Sequence, residues 1–375
     1  MKKNILVYPF DNEFNPILKH QNLLDEYQIS NVVSLKGWGF CGKDAGESDN
    51  RSNLNYTVTN EFNDNLDQCD AVLFCETRTP VDFDKFIMPK VDTAVKKGKD
   101  IIFITELSES NLERVINTCN QYNVDFKYLY NNNTENFKKL EELTHFEQSI
   151  LDINTPVIFI MGTSEKTNKF DIQLSLRENI MKKGYKISQV GSRRYCELLG
   201  FHSFPSFMYS VLDETSKIVM FNRYIKSIEI NESPDIIIIG IPGGNMPFND
   251  KFTNKFGIMS YEISQAVNPD ICVFSSLYSE YNMDYFGKIS NSTYYKLGYN
   301  IDCFNLSNNS FDWASSENNN KEVFLTINSN IVDEKIKDYS KLDTKVYNIL
   351  NDDSANKMAE YLLDKLIKYA ETEWM

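Results

Sequence analysis

The chain has 375 residues, 42% hydrophobic and 13% aromatic, and a formal net charge of −14. That length and composition suit two globular domains, each with its own core, and exclude a disordered chain. The negative charge argues against nucleic acid or an anionic membrane as main partner, and no apolar run reaches the roughly 18 residues of a membrane span.

The N-terminal stretch MKKNILVYPFDNEF reads as a first strand over residues 4–10, not a signal peptide, because Pro9 and Asp11 interrupt its short apolar run. A helix is predicted over residues 16–27, with Ile17, Leu18 and Leu24 inward, and a second strand over 31–35. Strands over 71–75 and 100–105 flank a helix over 84–97, which Gly98 stops. A helix over 110–122 and a strand over 125–130 follow. Strands alternating with helices at this spacing predict a parallel α/β sheet, so residues 1–150 are expected to form a Rossmann-like domain. Residues 131–151, asparagine-rich at first and then of helical pattern, read as the join.

The second domain is expected over 151–375, opening on TPVIFIMGTSEKTNKFD. A buried strand, 157–161, runs into a glycine turn and a helix over 172–183, with Ile172, Leu176 and Ile180 on one face and Gly184 as its stop. The alternation continues through a strand at 186–191, a helix at 213–230, the DIIIIG strand at 235–240, a strand at 270–275, a helix at 283–297 and a strand at 299–304. Residues 305–321 read as a surface loop, 323–327 as a last strand, and 355–373 as an amphipathic helix with Leu362, Leu366 and Tyr369 inward. Seven cysteines with no C-x-x-C pair suit reduced thiols and a cytoplasmic location, and no zinc or other metal site is expected.

Four constellations carry chemistry. The first is GTSEKTNKFD. A strand, a glycine turn and a helix start present free N–H groups and a positive dipole end to a phosphate. Gly162, Thr163, Ser164, Asn168, Lys169, Phe170 and Asp171 are the candidate nucleotide-binding residues. The pattern G-x-x-x-x-G-K-[ST] is not met: Asn168 stands where a second glycine would help, one residue later than the pattern has it, and Phe170 and Asp171 replace the magnesium-binding hydroxyl. The alternative is a structural turn. The second is IPGGNMPF, where Gly243 and Gly244 would let a backbone approach a ligand, or make a tight turn between core elements. Its strand ends in Gly240, where a metal-binding acid is usual.

The third constellation is GSRRYCELLGFHSFPS, in which Arg193 and Arg194 suit a phosphate or carboxylate and His202 is weighed as a general base. In the fourth, KGWGFCGKDAG, Lys36, Gly37 and Lys43 are candidate ligand-binding residues. Its literal G-x-G-x-x-G (Gly37, Gly39, Gly42) follows the second strand and precedes no helix, which weakens a dinucleotide reading.

The segment GTSEKTNKFDIQLSLRENIMKKGYKISQVGS resembles atypical P-loop proteins with a Rossmann-like N-terminal domain. The matching residues are Gly162, Thr163, Ser164, Lys169, Phe170, Gln173, Leu174, Gly184 and Tyr185; Asn168 and Asp171 depart from the pattern. Three blocks, YPFDNEF with KGWGFCGKDAG, GSRRYCELLGFHSFPSFM, and IPGGNMPFNDKFTNKFGIMSYEISQAV, are together similar to the peptide maturation system protein family of clostridial natural-product clusters. That resemblance implies an accessory role beside a ribosomally made precursor peptide and radical-SAM maturation enzymes. The expectation is a two-domain α/β protein, Rossmann-like then P-loop-like, that binds ATP or GTP with magnesium, or another phosphorylated ligand. The competing reading is a non-catalytic peptide- or enzyme-binding partner with a fossil loop. Enzymatic activity and dimerisation are left open.

Overall fold

The computed structural model describes residues 2–130 and 149–373, so most of the expected join lies outside the described residues. The chain divides into two compact units: Met1–Asn131 with Arg194–Gly200, and Asn132–Arg193 with Phe201–Met375. Assignment of Arg194–Gly200 to the first unit has no signal in the sequence.

The first unit is built on a parallel sheet of β1 (Lys3–Tyr8), β2 (Tyr27–Val33), β3 (Val58–Thr59), β4 (Ala71–Phe74), β5 (Asp100–Phe103) and β6 (Phe126–Tyr128). Their order, β3-β2-β1-β4-β5-β6, is that of a Rossmann-like fold. The alternation that makes strands of these segments shows in burial. Leu6, Val72, Phe74, Ile101 and Phe103 pack against helices Met88–Lys96 and Glu109–Tyr122, while Ile5, Val7 and Leu73, on alternate positions, are fully buried too.

The helix expected over residues 16–27 is shorter. Asn15–Lys19 is helical, Gln21–Leu23 makes one 3-10 turn, and β2 begins at Tyr27. Pairing decides this, because Lys3 and Ile5 of β1 register against Tyr27 and Ile29. Ile17, Leu18 and Leu24 are buried as expected.

The second unit has its own six-stranded parallel sheet of β7 (Val157–Gly162), β8 (Ile187–Val190), β9 (Ile236–Gly240), β10 (Ile271–Ser276), β11 (Cys303–Leu306) and β14 (Lys345–Tyr347). The order is β14-β11-β10-β7-β9-β8, so the chain builds one side of β7 and then crosses to the other. Helices cover both faces. Val157, Phe159 and Met161 pack in the core that includes Phe221, Ile225, Ile263 and Phe286. Ile158 and Ile160 meet Ile172, Leu176 and Ile180 of the Lys169–Lys182 helix and Leu362 and Leu366 of the Asp352–Glu373 helix. Both domains are thus three-layered α/β.

Three expectations need correction here. Residues 305–321 are not a loop: they include β12 (Asn309–Phe311) and a helix, Trp313–Asn319. The predicted last strand, β13 (Phe324–Thr326), pairs antiparallel with β12 in a separate ribbon packed by Phe248, Phe252 and Phe311, and the sheet is completed by β14, which lacks a strong apolar run. Tyr369 is 44% exposed, unlike buried Leu362 and Leu366, and its hydroxyl lies 3.5 Å from Asp302 Oδ1. Among the described residues, no helix is long and apolar enough to cross a membrane.

Candidate functional site

In the second unit, β7 ends at Gly162, the loop Thr163–Asn168 follows, and the helix begins at Lys169, three residues before the sequence pattern places it. Asn168 caps that start in the left-handed conformation, φ +59° and ψ +22°. This is the conformation that favours glycine, and asparagine is the side chain that tolerates it best. The departure from the phosphate-loop pattern at Asn168 therefore preserves the backbone path. Its amide also ties the loop down. Oδ1 accepts from Ser307 Oγ at 2.6 Å and from the Asn308 N–H at 3.3 Å, and Nδ2 donates to Asp171 Oδ2 at 3.2 Å.

Thr163 N–H donates to Ser275 O, anchoring the loop to β10. Among the described residues, the main-chain N–H groups of Glu165, Thr167, Asn168 and Lys169 meet no acceptor. They stand at the positive end of a 14-residue helix, the arrangement that receives an anion.

Lys169 is 4% exposed and its Nζ donates to Ser164 O at 2.5 Å and Gly243 O at 2.6 Å. Burial pushes the pKa of its ammonium down and Arg193 adds to that, while Glu165, with Oε2 at 3.9 Å, opposes it. The Glu165 side chain is 60% exposed, and its Oε1 accepts the Gly243 N–H at 2.6 Å. Desolvation raises its pKa, but Lys169, Arg193 and the Gly243 N–H hold the carboxyl below its usual range. Arg193 lies over the Phe170 ring at 5.7 Å, and Phe170 and Asp171 are both buried.

The turn after β9 faces the loop. Gly244 packs so closely that a Cβ there would stand 2.4 Å from Thr163 O, and Asn245 N–H donates to Gly162 O. Gly243 and Gly244 thus stand opposite the loop. At the end of β9, a Cβ on Gly240 would fall 2.1 Å from Gln173 Oε1. The Gln173 amide is fixed by Lys169 O, Ser192 Oγ and Ser192 N–H, all at 3.0 Å. The place where a metal-binding acid is usual is filled by a buried amide.

Beyond this turn a cleft of about 430 Å³ is lined by Glu165, Tyr209, Gly243, Gly244, Lys251, Phe252, Asn254, Lys255, Met259 and Glu322, among others. Sequence reasoning missed its wall, Asn254–Gly257. Four successive residues there have φ of +47°, +52°, +58° and +68°. Left-handed turns in L-residues cost roughly 1–2 kcal/mol each, so this one must be held from outside. Asn254 Nδ2 donates to Thr163 O and Met246 O, and Lys296 Nζ to Asn245 O and Phe256 O. Asn254 and Gly257 around Lys255-Phe256 were the readable signal. Glu322 was missed too. Burial raises its pKa, and Glu165 raises it further.

The structure gathers Gly162, Thr163, Ser164, Asn168, Lys169, Phe170, Asp171, Arg193, Gly243 and Gly244 around one loop. The remaining ligand-binding candidates, Arg194, Lys36, Gly37 and Lys43, fall in the first unit. Arg194 stacks on Tyr130, 5.5 Å from the ring. Lys36, Gly37 and Lys43 lie on an exposed loop that Asp44 organises by accepting from the N–H groups of Gly46, Leu54 and Tyr56. In a Rossmann-like sheet the phosphate turn follows β1, where this chain has a cis Tyr8–Pro9 bond and buried Phe10 in place of glycines. His202 hydrogen-bonds to Glu232, which also accepts from Ser188, a carboxylate-centred group outside the loop cluster. Among the described residues, no three His, Cys, Asp or Glu side chains are grouped to hold a metal ion.

No protein-family model matches this chain, and no curated protein matches it. Its fold is similar to the crystal structure of a DUF1611 family protein from Anabaena variabilis, with a TM-score of 0.60 over 98% of this chain and 100% of that one. The two are 10% identical, so the likeness is one of fold. Parts of the chain overlay on S. aureus homoserine dehydrogenase, at 17% identity over 34% of this chain and 32% of that one. Others overlay on an NAD-binding protein from Listeria innocua, at 13% identity over 48% and 54%. The TM-scores of 0.25 and 0.30 are too low to bear on function.

Proposed function

We propose that the second unit binds a phosphorylated ligand, in first place ATP or GTP with magnesium, in the loop Gly162–Lys169, with Gly243 and Gly244 as the facing wall. One observation carries this reading: left-handed Asn168 delivers Lys169 and four unpaired N–H groups to one helix start. Arg193 would add charge to the ligand's phosphates. Magnesium, when bound, would neutralise phosphate oxygens, and with Gly240 closed off by Gln173 those oxygens and water would supply most of its ligands.

The biological setting we propose is maturation of a ribosomally synthesised peptide, as an accessory protein acting with a precursor peptide or a radical-SAM enzyme. It rests on the three sequence blocks alone. A second reading, a non-catalytic partner that has lost turnover, is favoured by Gln173 at the end of β9 and by the carbonyls that already satisfy Lys169.

A thermal-shift titration with ATP, GTP and their magnesium complexes tests the site on wild type and Lys169→Ala. At about a hundred times its dissociation constant a ligand stabilises by roughly 2.7 kcal/mol. The expected result is a shift in wild type that Lys169→Ala abolishes. A shift of equal size in both proteins would place binding elsewhere, and none at millimolar ligand would leave the partner reading.

A further inference from the structure

Every anion-binding loop has to do something with its cations when no anion is there. In this loop two carbonyls, Ser164 O and Gly243 O, take the Lys169 protons, and a side chain of the loop itself supplies the neighbouring negative charge. Glu165 reaches across to the facing wall, accepts the Gly243 N–H at 2.6 Å, and stands 3.9 Å from the Lys169 ammonium, within the field of Arg193. It therefore takes a main-chain donor and a share of the cationic field that an incoming phosphate would use. Its side chain is 60% exposed, so it is free to swing away, whereas Lys169 at 4% is fixed.

We propose that Glu165 is an internal counter-anion, a carboxylate latch that closes the loop onto Gly243 and that a phosphorylated ligand must displace. The inference rests on the phosphate-binding reading above and adds to it a built-in threshold: a di- or triphosphate, which carries more charge and more acceptor oxygens than a monophosphate, opens the latch most readily. A monophosphate or a carboxylic acid competes poorly. Glu322 lines the same cleft, repels Glu165 and makes no bond to Gly243, which makes it the internal control.

The test is calorimetric titration of the full chain with pyrophosphate and with inorganic phosphate, using wild type, Glu165→Gln, Glu165→Ala, Glu322→Gln and Lys169→Ala. Relief of like-charge repulsion at this separation is expected to tighten pyrophosphate by about tenfold in both Glu165 variants. Phosphate should gain more than pyrophosphate, since the threshold is gone. Glu322→Gln removes a charge from the same cleft but no bond to Gly243, so it should tighten pyrophosphate by clearly less than the Glu165 variants. Weaker or unchanged binding in the Glu165 variants would overturn the latch and leave the site standing, provided that Lys169→Ala still abolishes binding. Equal tightening by Glu322→Gln would overturn it in favour of a general field effect. Failure of wild type and Glu165→Ala alike to bind pyrophosphate would overturn both the latch and the phosphate site.

Discussion

Replacing Asn168 by glycine and by alanine separates the backbone at the loop's last residue from the side chain it carries. Both variants lose the hydrogen bonds of the amide, of which the Ser307 bond at 2.6 Å and the Asp171 bond at 3.2 Å are the firmest. At about 1 kcal/mol each, they set a common loss of about 2 kcal/mol. The left-handed φ of +59° then divides the two. Alanine adds roughly 1–2 kcal/mol of strain, while glycine adds none but gives back about 0.4–1 kcal/mol through its freer unfolded chain. The expected order is wild type, then Asn168→Gly about 2–3 kcal/mol lower, then Asn168→Ala about 1 kcal/mol lower still. Urea unfolding in a Trp38→Phe, Trp374→Phe background reads the second unit through Trp313. An alanine variant as stable as the glycine one would refute a left-handed Asn168. The glycine variant, which restores the usual residue at that place, should retain the loop's affinity for phosphate.

Gly240→Ala drives a Cβ to 2.1 Å from Gln173 Oε1 and should destabilise the second unit by about 1–3 kcal/mol, read by the same unfolding experiment. Pairing it with Gln173→Ala should recover much of that loss, and a purely additive double variant would argue against the contact. Gly244→Ala, 2.4 Å from a main-chain oxygen, should be as costly with no side-chain rescue available. Glu229 provides a pH test. Burial raises its pKa, but Lys226 and the N–H groups of Thr155 and Asn154 more than offset that, so the folded value lies below the usual 4.5. A depressed carboxyl contributes stability that is present above 4.5 and lost as pH falls through the folded value. Glu229→Gln should therefore unfold more easily near neutrality and show a shallower loss of stability below about pH 4.5; equal acid slopes would sink this assignment.

Much of the site was legible because its parts are local. A buried aliphatic strand, a glycine turn and an amphipathic helix follow one another in Val157–Lys182, and local order sufficed to place Gly162 to Asp171 around one loop. The Gly243–Gly244 turn was readable for the same reason, as the end of the most hydrophobic strand. By itself the sequence determined the class of fold and which strand ends bear a loop, since both follow from the periodicity of burial along the chain.

Only the tertiary structure decided the rest. It placed β9 beside β7, which brings Gly243 to Lys169 across 74 positions of sequence. It put Gln173 over Gly240, and it showed that Glu165, a residue with no motif of its own, closes onto the facing wall. It sent Arg193 and Arg194, neighbours in the chain, to different units. Strand order, register and the left-handed turn at Asn254–Gly257 are chosen by packing between distant segments, and the local residue pattern carries no record of those contacts.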